Sequence, residues 1–232
     1  MARALCEAVE PSSLGYQLAQ PKVPILASGR LSATVRSDFT ARSLREAGVG
    51  QYVVLGAGLD TSAHYLGPDC ATWLVDLPGV LAWRKALFAA AAISDVGTCV
   101  PFDLDEVGVV SALELAGLDP SKPVFFSWLG VTMYLEKSAI RRVLGELSAV
   151  PSGSGLVFDH FLAPSRRDAA ARVIPLRSVR CSKRAGSLGC ARQTHRRSCD
   201  GSSPLGGTSN RRLLRQILPR LGSGIATTRC VP

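Results

Sequence analysis

The sequence predicts an α/β fold with a doubly wound, mainly parallel sheet, and three observations carry that prediction. Short apolar runs recur without polar interruption, as strands buried on both faces of a parallel sheet do. Stretches with helical periodicity separate them, so that strand and helix alternate five times. A glycine-rich turn follows directly on the first run.

Taken in order, residues 1–35 show no sustained period, and Pro11, Pro21 and Pro24 interrupt them, so an irregular arm with one short helix near residues 2–9 is expected. Residues 36–47 are rich in helix formers and end at Gly48, a C-terminal stop. The expected strands are 52–55 (YVVL), 73–75, 99–102, 124–128 and 156–158. Helices are expected over 79–93, 106–116 and 137–149. In the last of these Ile140, Val143, Leu144 and Leu147 fall on one face.

Composition divides the 232-residue chain in two near Pro164. Residues 1–164 carry 12 Lys+Arg against 16 Asp+Glu, and residues 165–232 carry 15 against 2, so the whole excess of +9 lies in the tail. That tail also holds none of the 14 aromatic residues, but four of the seven cysteines. The expected organisation is therefore an arm over 1–35, an α/β domain over 36–164 and a basic tail over 165–232. No apolar run is long enough to span a membrane, and Glu7 and Glu10 stand where a signal peptide would be basic and then apolar. The odd number of cysteines, without paired spacings, argues for reduced thiols. A soluble, cytoplasmic protein is expected.

The first strand runs into Gly56-Ala57-Gly58-Leu59-Asp60-Thr61. Glycines serve a sharp turn from strand to helix, and a missing Cβ lets backbone approach a ligand; an ordinary tight turn without a ligand is the alternative. Asp76 lies twenty residues beyond Gly56, at the end of the second strand, where a carboxylate accepts hydrogen bonds from ribose hydroxyls. The two together indicate a cofactor containing a nucleoside. A nicotinamide dinucleotide would prefer a third glycine where Thr61 stands, and Asp60 would repel its pyrophosphate. A cationic ligand suits that charge better, so S-adenosylmethionine is favoured and a nicotinamide-dependent oxidoreductase is the runner-up.

QYVVLGAGLDT at 51–61, VDLP at 75–78 and FFSWLGVTMYL at 125–135 together resemble the leucine carboxyl methyltransferase-like family of class I S-adenosylmethionine-dependent methyltransferases, in particular its bacterial branch. The resemblance covers about residues 36–164. It implies a Rossmann-like fold and methyl transfer to an oxygen of a small molecule or carboxyl group. It also implies that Arg36 meets the carboxylate of the cofactor's methionine part, that Gly56, Ala57 and Gly58 line the cofactor, that Asp76 holds the ribose, and that Asp103 and Leu104 flank the adenine. The plainer readings are a helix-capping Arg36 and an Asp103 that caps the helix expected at Glu106. Two departures bear on the acceptor side: Leu129 stands where eukaryotic members carry a glutamate, and Tyr65 where an arginine is frequent. Tyr134 matches a tyrosine near the substrate mouth, though packing is the commoner role for such an aromatic. His64, Asp60 and His160 are the candidate bases, and none falls in a catalytic pattern.

The resemblance implies a further helix and an antiparallel hairpin after Pro164, yet no alternating pattern appears there. A missing or altered hairpin would leave the fifth strand with an open edge. A disordered basic arm that binds nucleic acid, a metal module and a shifted reading frame are the competing accounts of the tail. Cys181, Cys190, His195 and Cys199 lie close together but lack the close cysteine pair of a zinc site, so no metal is expected. The change in composition favours the frame shift, with residues 177–210 disordered, and leaves an inactive remnant or a basic-tailed binding protein as the remaining alternative.

Overall fold

The computed structural model describes residues 5, 24–67, 69–160 and 225–229. The expectations for the arm before Pro24, Leu5 apart, and those for the disordered stretch and metal module of the tail lie outside these residues.

Among the described residues six strands form one sheet: β1 (Gln51–Leu55), β2 (Ala71–Asp76), β3 (Thr98–Pro101), β4 (Phe125–Trp128), β5 (Gly155–His160) and β6 (Ile225–Arg229). Their order is β3-β2-β1-β4-β5-β6 and every pairing is parallel. The chain reverses its direction of winding between β1 and β4, and the carboxyl ends of these strands form the crevice where such sheets take ligands. Among the described residues these α-helices flank it: α1 (Pro24–Ala47), α2 (Pro78–Ala90), α3 (Val109–Leu115) and α4 (Lys137–Leu147).

β1 is buried at all five positions, as its uninterrupted apolar run requires. On one face Val53, Leu55, Val75, Phe126, Trp128 and Phe158 pack with Val109 and Leu113 of α3 and Val143, Leu144 and Leu147 of α4. On the other, Tyr52, Val54, Leu74, Phe125 and Val157 pack with Leu44 of α1. Leu5 is helical and buried, and it meets Leu87 and Phe88 of α2. Among the described residues no helix is long and apolar enough to cross a membrane.

Four expectations need correction. The boundary drawn at residue 36 falls inside α1, which begins at Pro24; proline is tolerated in a first turn because its missing N–H has no partner there anyway. The glycine turn does not lead into an α-helix but into one turn of 3₁₀ helix, Ser62–Tyr65, before the chain reaches β2. Here Asp60 Oδ1 takes the Ser62 N–H at 2.7 Å, a local bond that competes with helix propagation. α3 begins at Val109 rather than at 106, where the Glu146 carboxylate of α4 accepts from the N–H groups of Gly108 and Val110 at 2.9 and 3.3 Å. A carboxylate at a helix amino terminus stabilises that start. Finally, the edge of β5 is not open: β6 pairs with it from Leu156↔Ile225 to His160↔Arg229.

One buried polar pair crosses the sheet. The Tyr52 hydroxyl lies 2.8 Å from Ser127 Oγ, and burial, followed by the nearby Asp60 charge, pushes the phenol above its ordinary value of 10.0. With a raised folded-state value, the unfolded chain ionises first, so stability holds below about pH 10 and falls as pH rises beyond it. Melting temperatures between pH 9 and 11 are expected to fall less steeply for Tyr52→Phe. The same variant is expected to lose about 1 kcal/mol at neutral pH through the broken bond to Ser127.

Candidate functional site

The carboxyl end of β1 turns at Gly56, whose φ of +74° is open chiefly to glycine. A Cβ there would sit 2.2 Å from Val131 Cγ2, so the space beside Gly56 is occupied by the loop after β4. The positive φ and the close approach of Val131 both demand this glycine. Gly58 differs: φ is +45°, and a Cβ would meet nothing within 4 Å.

Asp76 closes β2 and reaches back to the turn. Its Oδ2 accepts the Gly58 N–H at 2.8 Å and its Oδ1 the Leu77 N–H at 2.7 Å. Each carboxylate oxygen has a second lone pair, so the group is held in one orientation while it keeps capacity for two further donors. Asp103 lies beyond β3, where its Oδ1 accepts the Asp105 N–H at 2.9 Å. It thus shapes a turn, and the helix start it was expected to cap lies further on. Leu104 is buried in the core with Val100 and Val109.

Arg36 projects from α1 to the ends of β4 and β5. Nη1 donates to Asp159 Oδ2 at 2.8 Å, while Asp159 Oδ1 accepts the Gly130 N–H at 2.7 Å. Gly130 has a φ of +72°, and a Cβ on it would stand 3.0 Å from Arg36 Nη2. Thr132 Oγ1 donates to the Asp159 carbonyl at 2.6 Å, which fastens the same loop to β5. Asp159 is 1% exposed. Its replacement by alanine leaves Arg36 and Gly130 N without this acceptor, and a loss of about 2 kcal/mol is expected in denaturant unfolding.

Of the candidate bases, His64 bonds through Nε2 to the Ser94 carbonyl at 2.8 Å and packs on Phe88, so it tethers the 3₁₀ turn. His160 ends β5 with its ring 6.0 Å from Phe158. Tyr134 is 71% exposed and does not pack into the core, and Tyr65 is exposed as well. A cavity of about 670 Å³ lies at the opposite, amino end of the strands, where Gln51, Asp69, Trp73, Asp119 and Lys122 line it. Gln51 there spends its amide on the backbone of Asp119 and Lys122, and Trp73 its N–H on Ala116.

The sequence reading missed Arg84, Asp95, Val131 and Asp159. Arg84 carried a legible signal, since it shares a helical face with Leu81, Leu87 and Phe88, all buried. Asp159 also did, as a carboxylate at the end of an apolar strand. Val131 gave none, because its contact with Gly56 is long-range.

A family model described as leucine carboxyl methyltransferase matches residues 8–148, more than half of the chain. The chain belongs to the leucine carboxyl methyltransferase family. The family match begins within the stretch expected to be an irregular arm, well before residue 36. A relative from Streptomyces coelicolor is 31% identical over 133 residues, which are 56% of this chain and 44% of that protein. One from Rhodococcus jostii is 36% identical over 124 residues, 50% of this chain and 40% of its own. Both are named for S-adenosyl-L-methionine-dependent methyl transfer without a stated substrate. The match thus spans less than half the length of these family relatives. A solved S-adenosylmethionine-dependent methyltransferase from Clostridium acetobutylicum superposes with a TM-score of 0.40 at 14% identity, over 63% of this chain and 55% of that one. Family membership gives the nicotinamide-dependent reading no support.

Proposed function

We propose that the chain binds S-adenosylmethionine and transfers its methyl group to an oxygen of a small molecule or carboxyl group. The observation that carries this reading is Asp76, oriented by two backbone N–H groups at the carboxyl end of β2 with lone pairs to spare. Open space at Gly58 supports it, since a bound nucleoside needs backbone it can lie against. Arg36, still partly exposed beside Asp159, has guanidinium donors left for the cofactor's carboxylate. Asp103 and Leu104 follow β3 on the adenine side. The bound cofactor supplies a sulfonium methyl group open to in-line attack, and the chain's share of the work is chiefly alignment.

A carboxylate acceptor needs no proton removed, whereas a hydroxyl acceptor needs a base. The test is a calorimetric titration of the full chain with S-adenosylhomocysteine, followed by a screen of carboxylic acids for methyl transfer. Saturable binding is expected. A folded chain that does not bind overturns the reading.

A further inference from the structure

Arg84 stands on α2, yet its side chain is 0% exposed. Nε and Nη2 donate to the Asp95 carboxylate at 2.7–3.0 Å, and Nη1 donates to two carbonyls of the glycine turn, Gly58 at 3.1 Å and Asp60 at 2.6 Å. The Phe88 ring lies 4.3 Å beneath the guanidinium carbon. Stability alone gives a buried ion pair no advantage, since apolar residues of like volume serve about as well or better. What only a guanidinium provides here is direction, through donors fixed in one plane.

Gly58 is gripped from two sides. Its carbonyl is drawn to Arg84, and its N–H is the one that orients Asp76. In a trans peptide the carbonyl and the following N–H point in opposite senses, so Arg84 also turns the N–H groups of Leu59 and Thr61 away from α2. Among the described residues neither of those N–H groups has a protein acceptor. The bond from His64 to Ser94, one residue before Asp95, ties the same segment to the loop that holds Arg84.

We propose that Arg84 is the positioning residue of the cofactor site, holding the glycine turn in the conformation in which Gly58 orients Asp76 and the Leu59 and Thr61 amides are presented outward. The role rests on the proposed cofactor reading. It acts through the turn and not on the reacting atoms.

The experiment uses the full chain with Arg84→Lys and Asp95→Asn, followed by amide hydrogen exchange without ligand and by calorimetric titration with S-adenosylhomocysteine. A lysine ammonium can meet Asp95 or the carbonyls but cannot hold both sets in one plane. Exchange at the Asp60 N–H, which bonds the Ala57 carbonyl, is expected to speed up about tenfold in Arg84→Lys, and the dissociation constant to rise about tenfold. The strand amides of Val53 and Leu74 should stay protected. Asp95→Asn keeps the two carbonyl contacts, and its Asp60 exchange should stay near that of the wild type. Unchanged exchange and affinity in Arg84→Lys overturn the role, as does exposure of the strand amides together with the turn, which would make Arg84 a brace for the whole fold. Equal effects on the turn from both variants also overturn it, because the ion pair would then be the cause. A wild-type chain that binds no S-adenosylhomocysteine overturns the cofactor reading and with it this role, whereas wild-type binding that Arg84→Lys leaves untouched overturns the role alone.

Discussion

Replacement of Asp76 by alanine is expected to weaken S-adenosylhomocysteine binding by about a hundredfold or more, with the fold retained. A hydrogen bond to a charged group contributes about 1.5–3 kcal/mol, and if the carboxylate holds two ribose hydroxyls, as proposed, the loss is about 3–6 kcal/mol. The cost to folding is smaller. Leu77 is exposed, so water can take over its N–H, and Gly58 keeps its bond to Arg84. Asparagine is no gentle replacement. Both carboxylate oxygens accept from backbone N–H groups, and an amide offers an acceptor on one side only, so Gly58 or Leu77 would face another donor. Asp76→Asn should therefore fall much closer to alanine than to the wild type in the same titration. Affinity within threefold of wild type for Asp76→Ala would place the nucleoside elsewhere.

The strands were legible because burial on both faces writes a continuous apolar run, and β1, with all five of its residues buried, is the clearest case. The place of Asp76 was legible for a related reason: a carboxylate that ends an apolar run marks the carboxyl end of its strand, and there it meets the Gly58 N–H of the turn. Where the reading failed, a particular hydrogen bond or strand pairing, local in one case and long-range in the others, decided the outcome. Asp60 bonds to Ser62 and replaces an expected helix by a single 3₁₀ turn. Glu146 reaches from α4 to set the start of α3. The strand at 225–229 has no aromatic and little apolar signal, and its place beside β5 follows from pairing with Leu156–His160 and not from its own pattern. Arg84 shows the general difficulty. A charge on an apolar helix face can be read from periodicity, but the carbonyls of Gly58 and Asp60 that it serves cannot.

Gly56→Ala is expected to be the most destabilising substitution in the turn, and the reason separates two glycines that look equivalent in sequence. The added Cβ would lie 2.2 Å from Val131 Cγ2, far inside contact distance, on a backbone with φ of +74°. Overpacking of this kind costs about 1–3 kcal/mol and the left-handed conformation about 1–2 kcal/mol more, so denaturant unfolding should register a loss of about 2–5 kcal/mol. Gly58→Ala carries the backbone cost alone, because its Cβ meets open space. That Cβ would enter the region where the proposed cofactor reading lays the nucleoside, so Gly58→Ala should cost the fold less than Gly56→Ala and weaken cofactor binding. A second substitution makes the distinction quantitative. Val131→Ala removes the clashing methyl groups, and combined with Gly56→Ala it should recover the packing part of the loss, a coupling of about 1–3 kcal/mol, while the backbone part remains. Purely additive losses would show that the loop after β4 moves aside at no cost. Coupling would show that this loop, fixed through Gly130 and Thr132 to Asp159, sets the shape of the turn as firmly as the turn sets the position of Asp76.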